Sequence, residues 1–72
     1  MNTLIEKSIK ICGSQTALAK AIDARQQDVW NWLNEKYSVT PKYASRIEVA
    51  TGGKVTAHQF HPDIFPQTQQ SA

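Results

Sequence analysis

Apolar residues between Gln15 and Leu33 recur at three- and four-residue spacing, first as Leu18, Ala19 and Ile22, then as Val29, Trp32 and Leu33. That period is the signature of helices with one buried face. It predicts two short helices, about Gln15 to Ile22 and Gln26 to Leu33 or Asn34, meeting at a tight corner. Ala19 is small where the two would cross. Upstream, Leu4, Ile5, Ile9 and Cys12 supply another apolar stripe, with Lys7 and Lys10 toward the other side. Thr3-Leu-Ile-Glu6 reads as a capping box that starts a first helix near Leu4, and Gly13 ends it at Ile11 or Cys12. Ser14 then caps the second helix. Downstream, Glu35 to Val39 is a polar loop. Thr40-Pro41 opens a fourth helix, with Thr as cap and Pro at the first helical position. Its inner line is Ala44, Ile47 and Ala50 with Tyr43 beside them, and it stops at Gly52-Gly53.

Past Gly53 the periodic signal fades. Lys54 to Thr56 reads as a short extended piece leading into a turn of helix from Ala57 to Phe60, which His61-Pro62-Asp63 breaks. Ile64 and Phe65 are too apolar for water and should dock on this subunit or on a partner. Residues 67–72 are polar and uncharged and are expected to form a disordered tail behind a single domain of residues 1–66.

The outer face of the third helix changes the picture. Gln26, Gln27, Trp30 and Asn31 lie between its apolar positions, where a solubilising surface usually carries Lys and Glu. Gln and Asn can donate and accept together, the pattern that adenine presents in the major groove. The segment resembles the helix-turn-helix of phage Cro-type repressors and their prophage relatives, including the YdaS-like group. Gln15, Leu18-Ala19, Ile22, Val29 and Trp32 carry the likeness, over about a quarter of the chain. Two positions depart from the family pattern. Asp23 stands where the corner usually has Gly, and Asp tolerates positive φ better than most residues. Arg25 stands where a Ser or Thr cap is usual, which leaves Asp23 with Gln26 as an alternative capping box.

The resemblance implies an all-α, lambda-repressor-like bundle of four to five helices. Its function would be that of a sequence-specific repressor, inserting helix 3 into the major groove of operator DNA and blocking polymerase at an overlapping promoter. Gln26 and Gln27 are the first candidates to read bases, followed by Asn31, with Arg25 placed for a guanine edge or a phosphate. Trp30 either packs on a deoxyribose or thymine methyl, or folds back onto Tyr37. Asp28 is repelled by phosphates unless it accepts from cytosine or turns sideways to Arg25 or a neighbouring helix. By resemblance, Gln15 binds a phosphate and braces Gln26. Lys36, Tyr37 and Lys42 bracket the start of helix 4 as further phosphate candidates, with Lys20 a weaker one.

Composition adds bounds. Seventy-two residues, 40% of them apolar, make one small domain with a thin core, for which dimerisation is a common remedy. A homodimer on a pseudo-palindrome is expected, with half-site centres ~34 Å apart and Val55, Phe60, Ile64 and Phe65 as interface candidates. The net charge of +2 is mild and does not by itself point to nucleic acid. A lone cysteine, Cys12, fits a reducing compartment and reads as a small core residue. No basic-then-apolar leader or membrane-length apolar run is present, so a cytoplasmic protein is expected. No nucleophilic, phosphate-loop or paired-carboxylate pattern suggests an enzyme, and no cofactor is implied. His58 and His61 match no zinc spacing even with Cys12 and Asp63 added, so no metal is expected. The alternative function is a protein-interaction module: YdaS-like relatives are described as antitoxin-like, which implies a cognate toxin bound through the apolar C-terminal segment.

Overall fold

The computed structural model describes residues 2–65. The expected polar tail, residues 67–72, and the first and last residues of the expected domain lie outside the described residues. Five helices follow one another: α1 (Thr3–Cys12), α2 (Gln15–Ile22), α3 (Gln26–Leu33), α4 (Pro41–Ala50) and α5 (Ala57–Phe60). The protein is all-α, and no strand occurs among the described residues.

The helix starts follow hydrogen-bond supply. α1 begins one residue earlier than the Thr3 capping box predicts. Asn2 is the cap, its Oδ1 accepting from the Leu4 and Ile5 amides at 3.1 and 3.2 Å, which places Thr3 in the first turn. The Asn2 amide also donates to Leu33 O at 3.0 Å, tying the start of α1 to the end of α3. Ser14 caps α2 as expected, accepting from the Ala17 amide at 3.0 Å. Thr40 occupies the cap position of α4 with Pro41 behind it, but its side chain makes no capping bond. That start rests on proline's fixed φ and missing N–H.

The corner between α2 and α3 is closed by Asp23 itself, in the left-handed region at φ 58° and ψ 46°. The Ala24 amide then reaches back to Ala19 O at 2.8 Å, the pattern of a helix end sealed by one left-handed residue. The alternative in which Asp23 caps α3 is therefore excluded. Arg25 holds the cap position, with extended backbone at φ −86° and ψ 151°. α4 ends in the same manner at Gly52 (φ 64°), where the Gly53 amide donates to Glu48 O at 2.8 Å.

α2 is central, packing against α1, α3 and α4, while α5 leans on α4. Ile5, Leu18, Ile22, Val29, Ile47 and Val55 are essentially fully buried. Each contributes about 1.5–3 kcal/mol through burial. Trp32 lies tilted against Tyr43, ring centroids 5.2 Å apart. Cys12 is half-buried and packs on this cluster, and burial raises its thiol pKa.

The segment after α4 is held by polar side chains. Thr51 is buried; its Oγ1 lies 2.9 Å from Ile47 O and accepts from the Val55 amide at 3.1 Å. Glu48 Oε1 accepts from the Ala57 amide at 2.7 Å, and Thr56 with Gln59 forms a reciprocal capping box that starts α5. The expected extended piece is a bend at Lys54 and Val55, and only Thr56 keeps extended backbone, as the cap of α5. Phe60 and Phe65 pack on this subunit's own core. Val55, with no exposed surface, has nothing to offer a dimer interface and is corrected to a core residue. Of the four interface candidates, Ile64 is the most exposed, at 57%.

Candidate nucleic-acid interface

The two faces of α3 separate as the periodicity requires. Val29, Trp32 and Leu33 are buried, whereas Gln26, Gln27 and Trp30 face solvent and Asn31 is half-buried. The Gln26 side chain makes no hydrogen bond among the described residues. Gln27 Nε2 donates to Asn31 Oδ1 at 3.2 Å, one turn along. That pairing fixes both amides yet leaves each with an unused donor and lone pairs for a ligand. Trp30 is 42% exposed. The ring pairs among the described residues are Trp32–Tyr43 and His61–Phe65, so Trp30 is not folded onto Tyr37. Its flat apolar surface stands beside the amides.

Arg25 and Asp28 form one unit at the start of α3. Asp28 Oδ2 accepts from the Arg25 amide at 3.3 Å and from Arg25 Nε at 3.4 Å, while Oδ1 accepts from Nη2 at 3.2 Å. The hydrogen bond from Arg25 holds the Asp28 carboxyl below its ordinary pKa. The same contact raises that of the guanidinium. Of the possibilities open for Asp28, the turn toward Arg25 is the one adopted.

The phosphate candidates are dispersed. Lys20 is exposed in the last turn of α2. Lys36 and Tyr37, with Asn2, Glu35 and Ser38, line an open cleft of about 230 Å³. Lys42 sits in the first turn of α4 with Nζ 5.5 Å from the centre of the Tyr43 ring. Gln15 is half-buried in a shallow groove of about 260 Å³ with Glu6, Ile9, Lys10 and Leu33. It makes no hydrogen bond to Gln26, so the brace implied by resemblance is not formed in this structure.

Arg46 was not singled out by sequence reasoning. From α4 its Nη1 donates to Ile22 O at 3.0 Å, and it lies 3.9 Å from the Asp23 carboxylate. Its guanidinium carbon is 5.7 Å from the centre of the Tyr43 ring. A cation at a helix C-terminus meets unpaired carbonyls and the negative end of the dipole. Arg46 thereby fixes the corner that orients α3. The partner is 24 residues away in sequence, and no local pattern announces such a contact.

His58 and His61 bond backbone carbonyls, His58 Nδ1 to Phe65 O at 2.7 Å and His61 Nε2 to Val39 O. Each ring nitrogen facing a carbonyl must carry the hydrogen. The two histidines thus pin residues 61–65 against the rest of the domain. No helix among the described residues is long and apolar enough to cross a membrane.

No curated protein and no solved structure matches the chain. The family model described as bacterial toxin YdaS matches residues 5–69. That description is of a toxin, whereas the resemblance drawn from the sequence implied antitoxin-like relatives. Since the match spans all but the two ends of the sequence, this chain belongs to the YdaS family.

Proposed function

We propose that the chain binds double-stranded DNA in a sequence-specific manner, α2 and α3 acting as a helix-turn-helix with α3 in the major groove, and that it represses transcription by covering a promoter. The observation that carries this reading is the solvent face of α3. Gln26, Gln27, Trp30 and Asn31 leave that face rich in amides and aromatic surface, with no Lys or Glu on the helix. Lys20, Lys36, Tyr37 and Lys42 supply phosphate contacts that set register without reading sequence. One module spans too few base pairs for useful selectivity, so the active form is a homodimer on an inverted repeat with half-site centres ~34 Å apart. Ile64, Phe60 and Phe65 are its candidate contacts.

Selection of bound duplexes from a random pool at two salt concentrations tests this. The expected result is an enriched inverted repeat, lost when Gln26 and Gln27 are both changed to Ala. Recovery of no motif, or equal binding by the double variant, would reduce α3 to scaffold.

A second reading is favoured by the exposure of Ile64 and by the family's description as a toxin. In it, the C-terminal apolar segment engages a protein. Growth arrest on expression that survives the double glutamine substitution but not Ile64→Ser would favour it.

A further inference from the structure

The pair at the start of α3 carries a consequence for which base is read. A guanidinium has two edges able to make paired hydrogen bonds, one from Nε and Nη2 and one from Nη1 and Nη2. In this protein Asp28 occupies the first, with Nε to Oδ2 at 3.4 Å and Nη2 to Oδ1 at 3.2 Å. The second edge is left free on a side chain that is 82% exposed. Asp28 is itself anchored, because Oδ2 also accepts from the Arg25 amide. The guanidinium plane is therefore held relative to the first turn of α3.

We infer that Arg25, positioned by Asp28, reads a guanine by donating from Nη1 and Nη2 to O6 and N7 in the major groove. This rests on the DNA-binding reading above and narrows it to one base. Guanine presents two acceptors on that edge, whereas adenine presents an acceptor beside a donor, which a guanidinium cannot satisfy. Charge decides against a phosphate as the partner. Arg25 with Asp28 is a net-neutral pair, so its long-range pull on the DNA backbone is cancelled and an approaching phosphate meets the Asp28 carboxylate as well. The short-range, directional donors remain. A neutral acceptor edge gains from them without meeting that repulsion. Asp28 is a positioning residue: it touches Arg25, not the base.

The test uses the full chain and duplexes recovered from the random pool. Each guanine in a half-site is replaced in turn by adenine and by 7-deazaguanine, which lacks the N7 acceptor. One guanine is expected whose change to adenine weakens binding by about 5- to 150-fold, with a smaller loss for 7-deazaguanine. In the double variant Arg25→Ala with Asp28→Asn, which keeps the pair's net charge at zero, the preference at that position disappears, while the slope of log affinity against log salt stays as in the unaltered protein. A phosphate contact behaves differently: its removal lowers the slope by about one per subunit and weakens all sequences alike. That result would overturn the inference. Asp28→Asn keeps an acceptor for the Arg25 amide but removes the charge. It is expected to bind random duplex more tightly while discriminating less well at the same guanine; unchanged discrimination would remove the positioning role. If the unaltered protein retains no duplex, the DNA-binding reading itself fails. If it selects a site with no guanine that Arg25 senses, this inference alone fails.

Discussion

Residues 15–33 and residues 51–65 are similar in length and both contribute to the core, yet they are held by different means. In the first, burial does most of the work: Leu18, Ile22 and Val29 are enclosed, and none of the stretch's polar side chains is fully buried. In the second, Val55 is enclosed by a chain path that Thr51, Glu48, Thr56, Gln59, His58 and His61 fasten with hydrogen bonds to backbone groups. A helix pair specified by periodicity can spend its outer face on recognition. A segment fastened by side chain-to-backbone bonds has its polar groups committed to holding shape.

The sharpest way to break this contrast is to hollow out the first region. Leu18→Ala should cost about 2–5 kcal/mol, a large share of the ~5–15 kcal/mol that a domain usually has in total. Thermal unfolding should show a strongly lowered midpoint, with protection lost across all helices together. Thr51→Val probes the other region with nearly no change of shape. It leaves the buried Val55 N–H without its acceptor, at a cost of about 1–3 kcal/mol. Hydrogen exchange should quicken at Val55 and Ala57 while α2 and α3 amides keep their protection. Uniform quickening would mean that the two regions unfold as one unit.

Arg46→Ala comes next. Loss of its bond to Ile22 O and of the cation at the end of α2 should cost about 1 kcal/mol. It should also loosen the Asp23 corner, with a larger fall in DNA affinity than in melting temperature.

The smallest effect is acid sensitivity of the Arg25–Asp28 pair. Asp28 titrates below the ordinary carboxylate value of 3.8. Its contribution is therefore complete above about pH 5 and is lost as pH falls through the lowered value. The pair is exposed, so screening keeps the stability change minor. Amide shifts at Arg25 and Asp28 followed by NMR should report it before any global unfolding.

The same contrast explains what was legible beforehand. Leu18, Ile22, Val29, Trp32 and Leu33 could be placed because a helix face repeats and burial enforces the repeat. The partition of α3 into a buried line and an amide-rich outer face followed from it. Asn2 and Thr3 are both good caps one residue apart, and only the position of Asn2 Oδ1 against two amides settles which serves. Val55 lies in a stretch too short for any period, so its burial depended on where Thr51 turns the chain. Arg46 and His61 find partners 24 and 22 residues away, contacts visible only after the helices have packed. Asp28 offered several partners in sequence, and one was chosen by the geometry of the first turn of α3.

The central claim, that the outer face of α3 meets DNA, is tested most directly by following backbone amide shifts as a duplex carrying the selected repeat is added. The largest changes are expected from Arg25 to Asn31, with smaller ones around Lys36 to Lys42, and little at Thr51 or Val55. Changes concentrated at Ile64 and Phe65, or none along α3 at concentrations where the duplex is bound, would contradict it.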